Sequence, residues 1–174
     1  MGDNGASIRA MVLSRARAPR AVVAAAAAAV LLGGCALLER IPADPDGTLE
    51  TVSGGVLEAG ASLSDPHVIL EDDGSLRGDE VALVESFADE IDAEVDWTVG
   101  GEEALVGSLE AGELDLVVGG ITDATPWADR AAVTRPHDEV VRPDGSTDRF
   151  VVLLPMGENA LLAALERHID GGLP

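Results

Sequence analysis

The chain has no Lys and no Tyr, a single Cys, and only four large aromatic side chains, Phe87, Trp97, Trp127 and Phe150. Each shortage excludes something. Without Lys, every fixed side-chain cation is one of 11 Arg, set against 32 Asp plus Glu; the formal charge is −21 over 174 residues. Phosphates are repelled by such a body, which excludes a nucleic-acid binder and docking on an anionic membrane through a basic patch. There is no lysine for a phosphate-binding P-loop, and no G-x-S-x-G nucleophile elbow. Four aromatics do not make a base-stacking platform. One Cys excludes an intramolecular disulfide framework and a multi-Cys metal cluster. Hydrophobic residues nonetheless make up 47%, so the acidity does not imply disorder. No catalytic set emerges, and no cofactor is implied; the chain is read as a non-enzyme.

What is present begins with an address. Arg9, Arg15, Arg17 and Arg20 precede a 12-residue apolar run, Ala21 to Leu32, which ends in Gly33-Gly34-Cys35. The run is shorter than the ~20 residues that a spanning helix needs. A basic segment, a short apolar segment and small residues before the cleavage point describe a secretory signal. Leu32-Gly33-Gly34-Cys35 resembles the lipobox of bacterial lipoproteins, which implies cleavage before Cys35 and lipidation of its thiol. Met11 offers an alternative start. Residues 1–34 are thus expected to be a signal peptide and 35–53 a lipidated Cys with a Pro- and Asp-containing tether. Removing 1–34 leaves 31 acids against 7 Arg, a net charge of −24 over 140 residues. The location implied is the extracytoplasmic face of the cell membrane, held by lipid.

From residue 54 onward, short apolar runs alternate with amphipathic stretches. Strands are expected at 56–62, 67–70, 93–98, 114–118 and 150–154. Helices are expected at 79–92, 102–111 and 158–169, with Gly112 and Gly171 just past two of them. In the first helix Val81, Val84, Phe87 or Ala88, and Ile91 form the inner stripe; Asp79, Glu80, Glu85, Asp89 and Glu90 are expected to face water. The nearly unbroken apolar run 150–154 predicts a buried parallel strand. The alternation indicates an α/β fold with a mostly parallel sheet flanked by helices.

Several local patterns then occur in a particular order: Asp73-Gly74-Ser75-Leu76-Arg77-Gly78-Asp79-Glu80-Val81 at a helix start; Leu109 to Asp115 as L-x-x-G-x-x-D; Gly120-Ile121-Thr122, Thr125-Pro126 and Arg130; and Thr134-Arg135-Pro136-His137. Together they resemble the first lobe of the bacterial extracellular solute-binding proteins of family 3, the polar amino-acid receptors of ABC importers. The resemblance implies a type II periplasmic-binding-protein-like domain over 54–174. It implies a small polar solute such as an amino acid, and a membrane transporter or sensor as partner. Members of that family cross into a second lobe after the position of His137. Here only Asp138 to Arg149 intervene, so the second lobe is missing between 138 and 149, and a homodimer is one way to close the site.

By this resemblance Gly120, Thr122 and Arg130 would grip the ligand. The chemistry agrees: Gly admits a ligand to the backbone, Thr offers a hydroxyl, and Arg can fork onto a carboxylate. Arg130 is two residues farther from Pro126 than in the family pattern, and pairing with Asp129 or Asp123 is the alternative. Trp127 is expected to line the pocket or to anchor the loop on the core. His67 is expected at the crevice mouth. His67 and His137, with nearby acids, also leave open a metal-binding reading, though no pair has helical ligand spacing. The remaining alternative is a protein-interaction module that no longer binds solute.

Overall fold

A computed structural model describes residues 46–172. The signal peptide, Cys35 and most of the proposed tether lie outside the described residues. The elements run α1 (Thr48–Val52), β1 (Val56–Ala61), β2 (Ile69–Leu70), β3 (Leu76–Arg77), α2 (Asp79–Glu90), β4 (Glu94–Val99), α3 (Glu102–Glu110), β5 (Leu116–Val118), β6 (Ala132–Val133), β7 (Asp138–Val141), β8 (Thr147–Phe150), β9 (Leu153–Leu154) and α4 (Asn159–Gly171).

The central sheet has the order β4-β1-β5-β9-β6. Strand β1 is parallel to β4 over Val56–Ala61 and to β5 over Ala59–Ala61. Its small residues allow this central place. A Cβ on Gly60 would lie 2.9 Å from both the Leu114 and Val117 side chains and 3.2 Å from Leu105, so loop, strand and helix residues close directly over its backbone. Side chains alternate cleanly between two apolar layers. Leu116, Val118, Val152 and Leu154 pack with the α2 and α4 stripes, including Val81, Val84, Phe87, Leu161 and Leu165. Val117, Val151 and Leu153 pack on the opposite side with Leu105, Val106 and Leu109 of α3. Helices therefore cover both faces, as the strand–helix alternation predicts.

Three expectations are corrected. Residues 150–154 are buried as predicted, but β9 runs antiparallel to β5 and β6. Burial on both faces produces the same apolar run whatever the direction, so the run does not encode orientation. Residues 48–52, assigned to the tether, form helix α1 with Val52 at 3% exposure. The buried Glu158 side chain secures its start, accepting the N–H groups of Asp46 (3.2 Å) and Thr48 (3.3 Å). Third, Glu80 is fully buried and not on the solvent face of α2.

Helix α4 is tied to α2 by polar contacts as well as by its apolar stripe. His168 Nε2 lies 2.8 Å from Ser86 Oγ, and its Nδ1 contacts Glu90. Arg135, just before the hairpin β7–β8, reaches Glu166 (3.2 Å) and Asp170 (2.7 Å) on α4. That hairpin spans the short interval in which the resemblance would place a second lobe; β7 pairs with β8 from Asp138↔Phe150 to Val141↔Thr147, and β8 is bridged on its other side, at Phe150, by Thr122.

Candidate functional site

The carboxyl ends of β1 and β5 open onto one crevice, because parallel neighbours end on the same edge. After β1 the chain turns through Ser62 to His67. Reciprocal backbone bonds between Ser64 and Val68 (2.9 and 2.8 Å) close this turn. After β5 it passes through Gly119 and Gly120 to Thr122. The two loops touch: a Cβ on Gly120 would sit 2.3 Å from Ser64 Oγ and 3.2 Å from the His67 ring, and Gly120 has φ +67°. Glycine is required there by conformation and by contact.

The N-terminus of α2 holds this arrangement together. Asp79 Oδ1 accepts the Glu80 N–H (2.8 Å) and lies 3.0 Å from His67 Nδ1. The His67 carbonyl accepts the Glu80 N–H at 3.3 Å. Gly78 precedes them with φ 140°, and a Cβ there would fall 1.9 Å from the His67 carbonyl oxygen. Glu80 Oε2 accepts the N–H groups of Gly119 (2.7 Å) and Gly120 (2.8 Å), while Oε1 lies 3.0 Å from His137 Nε2. One buried carboxylate thus fixes the exit of β5 and the residue that begins the hairpin. Because carboxylates only accept, each histidine nitrogen facing one donates. The Phe150 ring lies 4.1 Å from the His67 ring and 6.5 Å from the His137 ring, centre to centre. Thr122 bridges Phe150 through the backbone.

His67, Gly120 and Thr122 are therefore brought together. Arg130 and Trp127 are not. Arg130 Nε bonds Glu110 Oε1 at 3.0 Å, with a second contact between the same two side chains. The guanidinium holds the Glu110 carboxyl below the usual carboxylate range. Glu110 ends α3, next to the turn that leads into β5, whereas Gly120 follows the far end of β5. A turn closed by the Arg130 N–H on the Trp127 carbonyl (2.8 Å) leaves the guanidinium at this opposite edge. Trp127 Nε1 donates to Glu102 Oε2 (2.9 Å), its ring packs beside the α3 layer, and the Arg130 guanidinium lies 5.4 Å from its centre. Neither expected partner of Arg130, Asp129 or Asp123, is its hydrogen-bond acceptor; Glu110 is.

The residue after Thr122, Asp123, is paired with a cation, Arg149. The Asp123 N–H donates to the Arg149 carbonyl (2.8 Å), and the guanidinium spans Asp123 Oδ2 (3.4 Å) and Glu139 Oε1 (3.0 Å). Sequence reasoning missed Arg149, Ser64 and Glu80. Only Glu80 had a local signal, since it directly follows a helix-starting Gly-Asp, but its periodic position reads as exposed. His67 and His137 face different carboxylates, and among the described residues no three His, Cys, Asp or Glu side chains are placed to hold a metal ion.

Among solved structures, the arginine-bound form of domain 1 from TmArgBP, the arginine-binding protein of T. maritima, aligns with a TM-score of 0.63 at 20% identity, over 70% of this chain and 97% of that one. The fold is that of one periplasmic-binding-protein domain. An ancestral cationic amino-acid solute-binding protein aligns at 0.63 and 12% identity, over 71% and 93% of the two chains; it is also described as a precursor of cyclohexadienyl dehydratase. A Salmonella typhimurium periplasmic binding protein with high arginine specificity aligns at 0.59 and 12%, over 67% and 92%. No family model and no curated protein matches the chain. In this periplasmic-binding-protein-like domain, the Ser64–His67 and Gly120–Thr122 loops lie at the carboxyl ends of β1 and β5.

Proposed function

We propose that the protein is an extracytoplasmic solute-recognition lipoprotein, anchored through Cys35, in which a single lobe receives a small polar solute of the amino-acid type and presents it to a membrane partner such as a transporter. One observation carries this reading: the body aligns with nearly the full length of an isolated domain whose structure holds arginine. The strand-end loops support it with the hydroxyls of Ser64 and Thr122 and the exposed Arg149. Arg149 replaces Arg130 as the group that would meet a ligand carboxylate, and Asp123 and Asp79 would favour a cationic side chain. Trp127 keeps a supporting role in the α3 layer. Lipid attachment accords with the basic and apolar segment before Cys35; no described helix is long and apolar enough to cross a membrane.

The test is the melting temperature of the full chain against basic, acidic and neutral amino acids. At a hundredfold excess over Kd, binding adds about 2.7 kcal/mol of stability. A basic amino acid should raise the melting point; Thr122→Ala and Arg149→Ala should reduce that shift, while Arg130→Ala should leave it intact. A shift lost in Arg130→Ala alone would overturn the assignment. A flat panel from a folded chain would favour the second reading, a protein-interaction module, which one observation supports: Leu63 is 51% exposed, and Val140 and Val141 of the hairpin are 45% and 72% exposed.

A further inference from the structure

The hairpin β7–β8 has one edge with no strand beside it among the described residues, and that edge is self-complementary. Across the hairpin, Arg142 donates its N–H to the Ser146 carbonyl (2.8 Å). Backbone groups alternate sides along a strand, so Asp138, Val140 and Arg142 direct theirs toward β8. Glu139 and Val141 direct theirs outward. The Glu139 N–H accordingly meets no strand; the side chain of Asp138 covers it at 2.8 Å. All four residues of β7 are exposed.

We infer that this edge pairs with the same edge of a second copy of the chain. The twofold axis passes through Val140, and the two hairpins make a continuous four-stranded sheet, β8-β7-β7-β8. The register follows from the backbone. Glu139 and Val141 of one copy must face Val141 and Glu139 of the other, because these are the residues with outward N–H and C=O groups. Val140 then lies opposite Val140, and Asp138 opposite Arg142, twice by symmetry. Opposite charges meet at both ends and two valines meet in the middle; any shift of two residues puts like charges or a charge against Val140. Arg142 already contacts Asp148, but a guanidinium has five N–H donors and is not exhausted by one carboxylate. Asp138 would exchange the Glu139 N–H for Arg142 of the other copy, leaving that N–H to the Val141 carbonyl across the interface. An open edge with exposed valines is the sort that proteins otherwise cover or block. The strong negative charge of the body opposes association, so pairing should tighten as salt rises at constant pH.

The test uses the full chain in detergent with Cys35→Ser. Val140→Cys should form a disulfide with itself, since directly opposed non-hydrogen-bonded residues have Cα atoms about 4.5 Å apart. Glu139→Cys and Val141→Cys should each fail alone and cross-link when the two are mixed. By light scattering, Asp138→Arg should weaken the dimer about tenfold, through loss of two charge pairs and gain of two repulsions. Adding Arg142→Asp should restore it. Equal cross-linking at 140 and 141, a dimer indifferent to Asp138→Arg, or a monomer with no Val140→Cys cross-link would each overturn the inference. None of these outcomes depends on the crevice binding a solute, which the melting experiment reads separately.

Discussion

Replacing Glu80 probes the crevice at the point where most of it is fixed. Glu80 is fully buried and serves three donors: the N–H groups of Gly119 and Gly120, and His137 Nε2. In Glu80→Ala all three lose their acceptor. An orphaned buried donor costs about 1–3 kcal/mol. Gly120 is only partly buried, and water entering from the crevice would recover some of that cost. The expected loss is about 3–5 kcal/mol, a large share of the 5–15 kcal/mol that holds a typical domain together. In Glu80→Gln one oxygen still accepts both glycine N–H groups, and the amide can donate to a neutral His137. The expected loss there is about 1 kcal/mol, the difference between a charged and a neutral acceptor. Urea unfolding followed by fluorescence of Trp97 and Trp127 would measure both variants at unchanged m. The reasoning would be refuted if Glu80→Ala lost less than about 1 kcal/mol, or if Gln and Ala proved equally harmful.

Three further variants probe other contacts. Gly78→Ala should cost about 3 kcal/mol, because its Cβ would collide with the His67 carbonyl at 1.9 Å and because φ is 140°. Gly74→Ala, with φ +88° but nothing within 4 Å, is the control and should cost about 1 kcal/mol; equal losses in thermal unfolding would refute the steric account. Asp115 has its pKa raised from 3.8, chiefly by burial and also by the nearby Glu158, against a lowering contact from the Glu58 N–H. A raised folded pKa means that its contribution to stability is fully present in acid and is lost as pH rises through that value. Asp115→Asn keeps an acceptor for the Glu58 N–H at 2.9 Å. It should therefore be more stable than the parent near neutrality and lose the advantage in acid. Unfolding midpoints that differ by the same amount across that range would contradict this.

The sequence by itself determined the layered α/β architecture, because strand and helix periods alternate and every inner stripe had to be covered. Leu105 and Leu109 on α3, and Leu161 and Leu165 on α4, are legible at helical spacing and are buried. The positions of Gly78 and Gly120 were legible as motif residues, and the contacts explain them: each lies where a Cβ would strike the His67–Ser64 loop. Other matters were decided by tertiary structure alone. Strand direction was one, since a strand buried on both faces reads the same way parallel or antiparallel. The fate of Glu80 was another: periodicity placed it with the exposed acids, but two backbone N–H groups and a histidine from distant segments make its burial affordable. Arg130 was the third. Its type suited a carboxylate grip, yet the loop after Pro126 delivers it to Glu110 at the other end of β5. Arg149, from a hairpin with no local binding signal, pairs with Asp123, the residue after Thr122. A side chain's chemistry can be read from its position in the chain, but its partner depends on which segments the fold brings within about 3 Å of it.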